Sequence, residues 1–189
     1  MDTIRTFIAI QLEDTQKTAI KTICSQLQNQ APDVRWIKPA NMHITLKFLG
    51  PLKSEEVSKV CDITNDVAKS FRPFNISFKD IGCFPNPTRP RVVWIGVDKG
   101  KQELETLVKF LERKLEKEGF PKESNIFKAH ITIGRIKDKR KSDNLTHICT
   151  EYEMPRLENL DVDKIYVMKS DLKPTGPVYT SLGVCSLSE

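Results

Sequence analysis

The sequence has no apolar run approaching the roughly 20 residues that a bilayer-spanning helix requires. Its opening, MDTIRTFIAI, carries Asp2 and no small-residue cleavage site. A membrane or secreted protein is therefore not expected, and the cytoplasm is the expected compartment. Histidine is scarce: His43, His130 and His147 are the whole supply, and no two are spaced His-x-x-x-His. The five cysteines (Cys24, Cys61, Cys83, Cys149, Cys185) are odd in number, widely scattered and never in C-x-x-C. These absences indicate neither a zinc site nor a disulfide framework, so no metal and reduced, mostly buried thiols are expected. Neither sign of charge dominates: 30 Lys and Arg against 25 Asp and Glu leave +5, which suits an anionic ligand without demanding one. Hydrophobic residues at 39% and charged residues at 29% argue against disorder, and 189 residues suffice for a real core in one domain of two lobes, 1–189.

What is present is a repeated motif. Asn41 to Gly50 reads NMHITLKFLG, and its His-x-Thr core returns as AHITIGR at Ala129 to Arg135. In both copies apolar and hydrogen-bonding side chains alternate, the period of a half-buried strand. Alternation sends His43, Thr45 and Lys47 to one face and Ile44, Leu46 and Phe48 to the core, and the second copy repeats this with His130 and Thr132. The flanks agree: His43 stands 39 residues after Ile4, and His130 stands 39 after Arg91, where the VVWIGV run opens. Each interval holds a helix-periodic segment. The unit is strand, helix, His-x-Thr strand, used twice.

Along the chain, Ile4 to Leu12 reads as a buried strand, and Asp14 opens a helix with Ala19, Ile20, Ile23, Cys24 and Leu27 in one stripe. Val34 to Ile37 is a short strand, and the first motif strand, from His43 to Leu49, ends at Gly50-Pro51. Ser54 is the N-cap expected for a second helix. Phe74, Ile76 and Phe78 alternate as a strand that pairs as a hairpin with Arg91 to Val97 across the proline-rich loop Phe84 to Pro90. A third helix covers Gln102 to Glu118, and strands near Lys164 to Met168 and Val178 to Leu187 close the chain. The class is α+β with largely antiparallel pairing. The cluster Lys137, Lys139, Arg140 and Lys141 follows the second motif and could meet a phosphate backbone.

Two imidazoles on opposite sides of a substrate can divide acid and base roles, because an unperturbed pKa of about 6.5 populates both forms near neutrality. Threonine hydroxyls two residues on share their face and can donate to anionic oxygens. Such a site favours phosphoryl transfer without metal.

Trp36, Pro39, Asn41 and HITLKFLG, then FKAHITIGR, together with Arg5-x-Phe7-Ile8-Ala9-Ile10 and the run from Pro90 to Gly96, resemble the 2H phosphoesterase superfamily. The likeness is to its RNA 2′,3′-cyclic phosphodiesterase branch, also called 2′-5′ RNA ligase-like. The resemblance implies a bilobal fold of pseudo-two-fold symmetry, with two largely antiparallel sheets around a central cleft, helices outside, and no cofactor. It implies catalysis by His43 and His130 and phosphate contacts from Thr45 and Thr132. It further suggests that His130 takes a proton from water and His43 protonates the departing 3′ oxygen, giving a 2′-phosphomonoester. The substrate would be an RNA with a 2′,3′-cyclic phosphate end, or a cyclic nucleotide, acted on by a monomer. Relatives commonly carry proline where this chain has Ala129. Arg135 matches an arginine that relatives often keep for phosphate, yet strict alternation from His130 points it to the opposite face, and a bulge at Gly134 would re-aim it. Of the rings that could stack a base, Phe48 reads as core, Phe127 is a further candidate, and Phe84 in its proline-rich loop is the better one. His147 reads as a surface residue without a role. Ligation through a 2′-5′ linkage and a non-catalytic RNA-binding module are the alternatives.

Overall fold

Residues 3–87, 89–136, 147–149 and 151–188 are described by the computed structural model. The basic cluster Lys137, Lys139, Arg140 and Lys141 lies outside them. In chain order the elements are β1 (Ile4–Gln11), α1 (Asp14–Gln28), β2 (Val34–Trp36), β3 (His43–Leu52), α2 (Ser54–Ala68), β4 (Phe74–Ile76), β5 (Phe78–Phe84), β6 (Val92–Val97), α3 (Lys101–Lys117), β7 (His130–Ile136), β8 (Leu160–Val162), β9 (Lys164–Lys173) and β10 (Gly176–Ser186). The helical period of α3 is the clearest: Leu104, Leu107, Val108, Leu111 and Leu115 form one buried row. Each such burial contributes about 1.5–3 kcal/mol. Gly100 starts this helix at φ +77°, where a Cβ would come within 2.5 Å of Ile76 Cγ2 and 2.6 Å of Asn75 O, so only glycine makes the turn.

The strands run in the order β10-β9-β1-β3-β7-β6-β5, with β2 on β7, and every pairing is antiparallel. The two lobes are legible in this path. One holds β10, β9, β1 and β3, the other β7, β6, β5 and β2, and a single residue pair, Ile44 with Ile131, joins them. Each half places its His-x-Thr strand innermost and its preceding strand, β1 or β6, next to it. A continuous core of helix and strand residues fills one side. On the opposite side of the first lobe, Phe7, Ala9 and Met168 form a second, smaller apolar cluster with Tyr166 and Tyr179. Both faces of β1 are therefore covered, which explains its unbroken buried run from Thr6 to Ile10.

Several sequence expectations need correction. The first motif strand does not stop at Gly50-Pro51. Gly50 takes φ +75° and β3 continues to Leu52, because β1 pairs with it as far as Ile4. Phe74–Ile76 does not belong to the hairpin. It pairs with β8, and the hairpin partner of β6 is β5. Helix α2 begins at Ser54, but Lys53 is the capping position, its N–H donating to Glu56 Oε2 at 2.7 Å. The expectation of five reduced thiols also fails: Cys83 and Cys149 are joined as a disulfide, and Cys24, Cys61 and Cys185 are free. Cysteines 66 positions apart carry no spacing signal; only the fold brings them together.

The largest departure lies within β3. Ala9 pairs with Thr45 and Ile8 with Lys47, so Leu46 is an extra residue, a bulge that flips the parity of Lys47 and Phe48 before a second irregularity at Leu49. Lys47 turns into the core, 1% exposed, and Phe48 turns outward, 60% exposed, the reverse of strict alternation. The buried ammonium is satisfied by Glu112 Oε1 at 2.5 Å and by the carbonyl of Pro121 at 2.9 Å. Glu112 Oε2 accepts from Glu123 N at 3.3 Å, and Glu123 Oε1 accepts from Phe48 N at 3.0 Å. These bonds tie β3 of one lobe to α3 and the approach to β7 of the other. Removing one partner leaves an uncompensated buried charge, so Glu112→Ala is expected to destabilise by about 3–5 kcal/mol in urea unfolding. The joint change Lys47→Met with Glu112→Leu should recover most of that loss. A Glu112→Ala variant as stable as wild type would show the pair to be incidental.

Candidate active site

The pair of Ile44 and Ile131 puts the two motifs at the centre of the sheet with their strands antiparallel. In that geometry His43 lies on the Thr132 side and Thr45 on the His130 side, one histidine and one threonine from each lobe. All four are half-buried and line one cavity of about 590 Å³. A second hollow of about 530 Å³ runs beside α3 and contains Phe127, which takes it away from the histidines. His147, outside both, pairs with Glu151 one helical turn on.

The two imidazoles are held alike. His43 Nδ1 lies 2.9 Å from the carbonyl of Asn41, and His130 Nδ1 lies 2.6 Å from the carbonyl of Lys128. A carbonyl can only accept, so Nδ1 carries a proton in both rings and Nε2 is the nitrogen that exchanges one. Aromatic walls fix the ring planes. Tyr179 meets His43 edge-on at 5.2 Å with Phe7 at 5.0 Å, while Phe84 meets His130 edge-on at 4.9 Å with Trp94 at 6.4 Å. This apolar enclosure has an electrostatic consequence. Burial pushes the His43 pKa down to about 4, against the bond to Asn41 and helped by the nearby His130 and Arg135 charges. Burial also lowers that of His130, opposed by the bond to Lys128. Both rings are neutral in the free protein at pH 7.

Arg135 is re-aimed as a bulge would require. Val93 pairs with Gly134 and Trp94 with Thr132, leaving Ile133 extra, so Arg135 emerges on the histidine side and lines the cavity. The same device in both lobes makes Phe48 and Arg135 counterparts, an aromatic ring on one wall and a guanidinium on the other. Phe84 lines the cavity too, but its ring is engaged with His130, Trp94 and the Lys128 ammonium at 5.4 Å. The ring with an open face is Phe48. Sequence reading missed Phe7, Tyr179, Trp36, Arg5, Arg35 and Lys38, all of which border the cavity. Arg5 and Phe7 share a parity on β1 that could have flagged them; Tyr179, on the last strand, carries no local signal. Among the described residues, no group of three or more His, Cys, Asp or Glu is disposed to hold a metal ion, and no helix is long and apolar enough to cross a membrane.

The chain resembles known proteins over nearly its whole length. It is 38% identical over 181 residues, 96% of this chain and 99% of the other, to an RNA 2′,3′-cyclic phosphodiesterase of Archaeoglobus fulgidus. It is 30% identical over 184 residues, 97% and 99%, to a protein of the same name from Methanothermobacter thermautotrophicus. A crystal structure of a Thermus thermophilus protein superposes with a TM-score of 0.81 at 25% identity, covering 97% and 98% of the two chains. Escherichia coli LigT in its apo form gives 0.74 at 22% over the whole of both. The model of the LigT like phosphoesterase family matches twice in succession, at residues 10–94 and 95–179. Each match carries one His-x-Thr strand, and the chain belongs to the LigT like phosphoesterase family.

Proposed function

We propose that this protein hydrolyses the 2′,3′-cyclic phosphate at the end of an RNA, or of a nucleotide, to a 2′-phosphomonoester. Water attacks phosphorus and gives its proton to His130 Nε2; the bond from phosphorus to the 3′ oxygen breaks, and His43 Nε2 protonates that oxygen. Thr45, Thr132 and Arg135 hold the phosphoryl oxygens as charge develops on them. The observation that carries this reading is the matched tethering of both Nδ1 atoms, which leaves two exchangeable Nε2 atoms for one cavity. Relatives named RNA 2′,3′-cyclic phosphodiesterase support the substrate class. A pure binding module would need positive charge more than two neutral imidazoles. The whole chain, 1–189, acts as one bilobal monomer in the cytoplasm.

The test is an assay on a 2′,3′-cyclic nucleotide and a cyclic-phosphate-ended oligonucleotide, with the product identified by phosphorus NMR. A 2′-phosphate, formed equally well in EDTA, is expected. Its pH dependence follows from the lowered pKa values. His43 must carry a proton and His130 must not, so kcat/KM should peak below pH 6.5 and fall towards neutrality as free His43 deprotonates. Bound phosphate favours the imidazolium, so the kcat profile should lie at higher pH than that of kcat/KM. A 3′-phosphate product would overturn the scissile bond, and kcat/KM level from pH 6 to 9 would overturn the paired imidazoles.

A further inference from the structure

We infer that Arg35 and Lys38 form a second anion subsite, which holds the phosphodiester linking the terminal nucleotide to the rest of an RNA strand. This rests on the hydrolase reading above and specifies its substrate as an oligonucleotide end. Arg35 on β2 stands directly opposite Arg135 on β7, so both guanidiniums lie on the cavity side of the sheet. Like charges facing each other across a strand pair destabilise, unless an anion is meant to lie between or beside them. Among the described residues nothing supplies it. Arg5, Arg35, Lys38 and Arg135 all border the cavity, no carboxylate does so among the described residues, and none of the four is ion-paired there.

The position of Arg35 suits the next phosphate along a strand. Its Nη2 reaches the turn between β9 and β10, where it would lie 3.6 Å from a Cβ at Gly176. Asn41 Nδ2 donates to the carbonyl of Pro177 at 2.9 Å and fastens that turn to the segment carrying Lys38. One edge of the cavity mouth is thus formed by this hairpin together with the two cations beside it. The RNA leaves the histidines over this edge. Arg135, two residues beyond Thr132 plus the bulge, serves the reacting phosphate; Arg35 and Lys38 serve the one before it.

Three substrates decide it: a 2′,3′-cyclic mononucleotide, the dinucleotide ending in the same cyclic phosphate, and that dinucleotide with an uncharged methylphosphonate linkage. Wild type should favour the charged dinucleotide over the uncharged one by about tenfold in kcat/KM, through KM. In Arg35→Gln with Lys38→Gln this preference should vanish, and the salt slope of log KM should fall by about 0.7 per lost contact. A merely structural effect would lower all three substrates together and keep the preference. That result, or a wild type blind to the linkage charge, would overturn the subsite. If wild type cleaves none of the three, the hydrolase reading fails, and calorimetric binding of the two dinucleotides to both proteins then decides the subsite by the same comparison.

Discussion

His43→Ala and His130→Ala should each lower kcat/KM on a cyclic-phosphate end by about 10² to 10⁴-fold, the usual cost of a general acid or base. The loss should come with unchanged melting, because both rings border a cavity rather than fill the core. The two variants can be told apart by the leaving group. If His43 protonates the departing 3′ oxygen, replacing that oxygen by sulfur, which leaves without a proton, should restore much of the His43→Ala rate. It should do nothing for His130→Ala, whose missing function is removal of a proton from water. Near-symmetry makes this experiment necessary: each ring is tied through Nδ1 to the carbonyl two residues before it, and each is walled by two aromatic side chains. Burial drives the His43 pKa to about 4, so an acid role for this ring would require a bound anion to restore its proton. Rescue of the His130 variant alone would exchange the two roles.

Thr45→Val and Thr132→Val form the second large effect, with a loss of about 10²-fold in kcat for each. Valine keeps the branched shape and removes only the hydroxyl. Donors aimed at charge that grows in the transition state act on kcat more than on KM, and one such donor typically contributes 10² to 10³-fold. Thr45 and Thr132 point into the cavity from the two lobes, half-buried, so their bonds to phosphoryl oxygen would form with little competing water. Thr→Ser at either site should retain most of the activity. A Thr45→Val variant with normal kcat and a raised KM would make the threonine a ground-state contact instead.

Much of the molecule was legible in its sequence. Periodicity alone located the α3 row from Leu104 to Leu115 and both motif strands, and the matched interval before each histidine disclosed the duplication. These features depend on backbone geometry within one element, which a reader can reconstruct from spacing. The misread residues cluster immediately after the motifs. Lys47, expected on the site face, is core, and Phe48, expected in the core, borders the site. Each motif strand carries an extra residue just after its threonine, Leu46 in β3 and Ile133 in β7, and nothing in HITLKF or HITIGR states which residue is extra.

By itself, then, the sequence determined two strand–helix–strand units, each ending in His-x-Thr, and the chemistry those side chains can perform. The tertiary structure alone decided how the units meet: at one residue pair, Ile44 with Ile131, which sets each histidine beside the other lobe's threonine. It also decided that Arg135 faces the site, that Arg35 stands opposite it, and that Tyr179 walls His43 from more than 130 residues away. The physical reason is that alternation is a property of one strand, whereas a bulge, a cross-strand neighbour and a wall are properties of two surfaces in contact, and only folding brings those surfaces together.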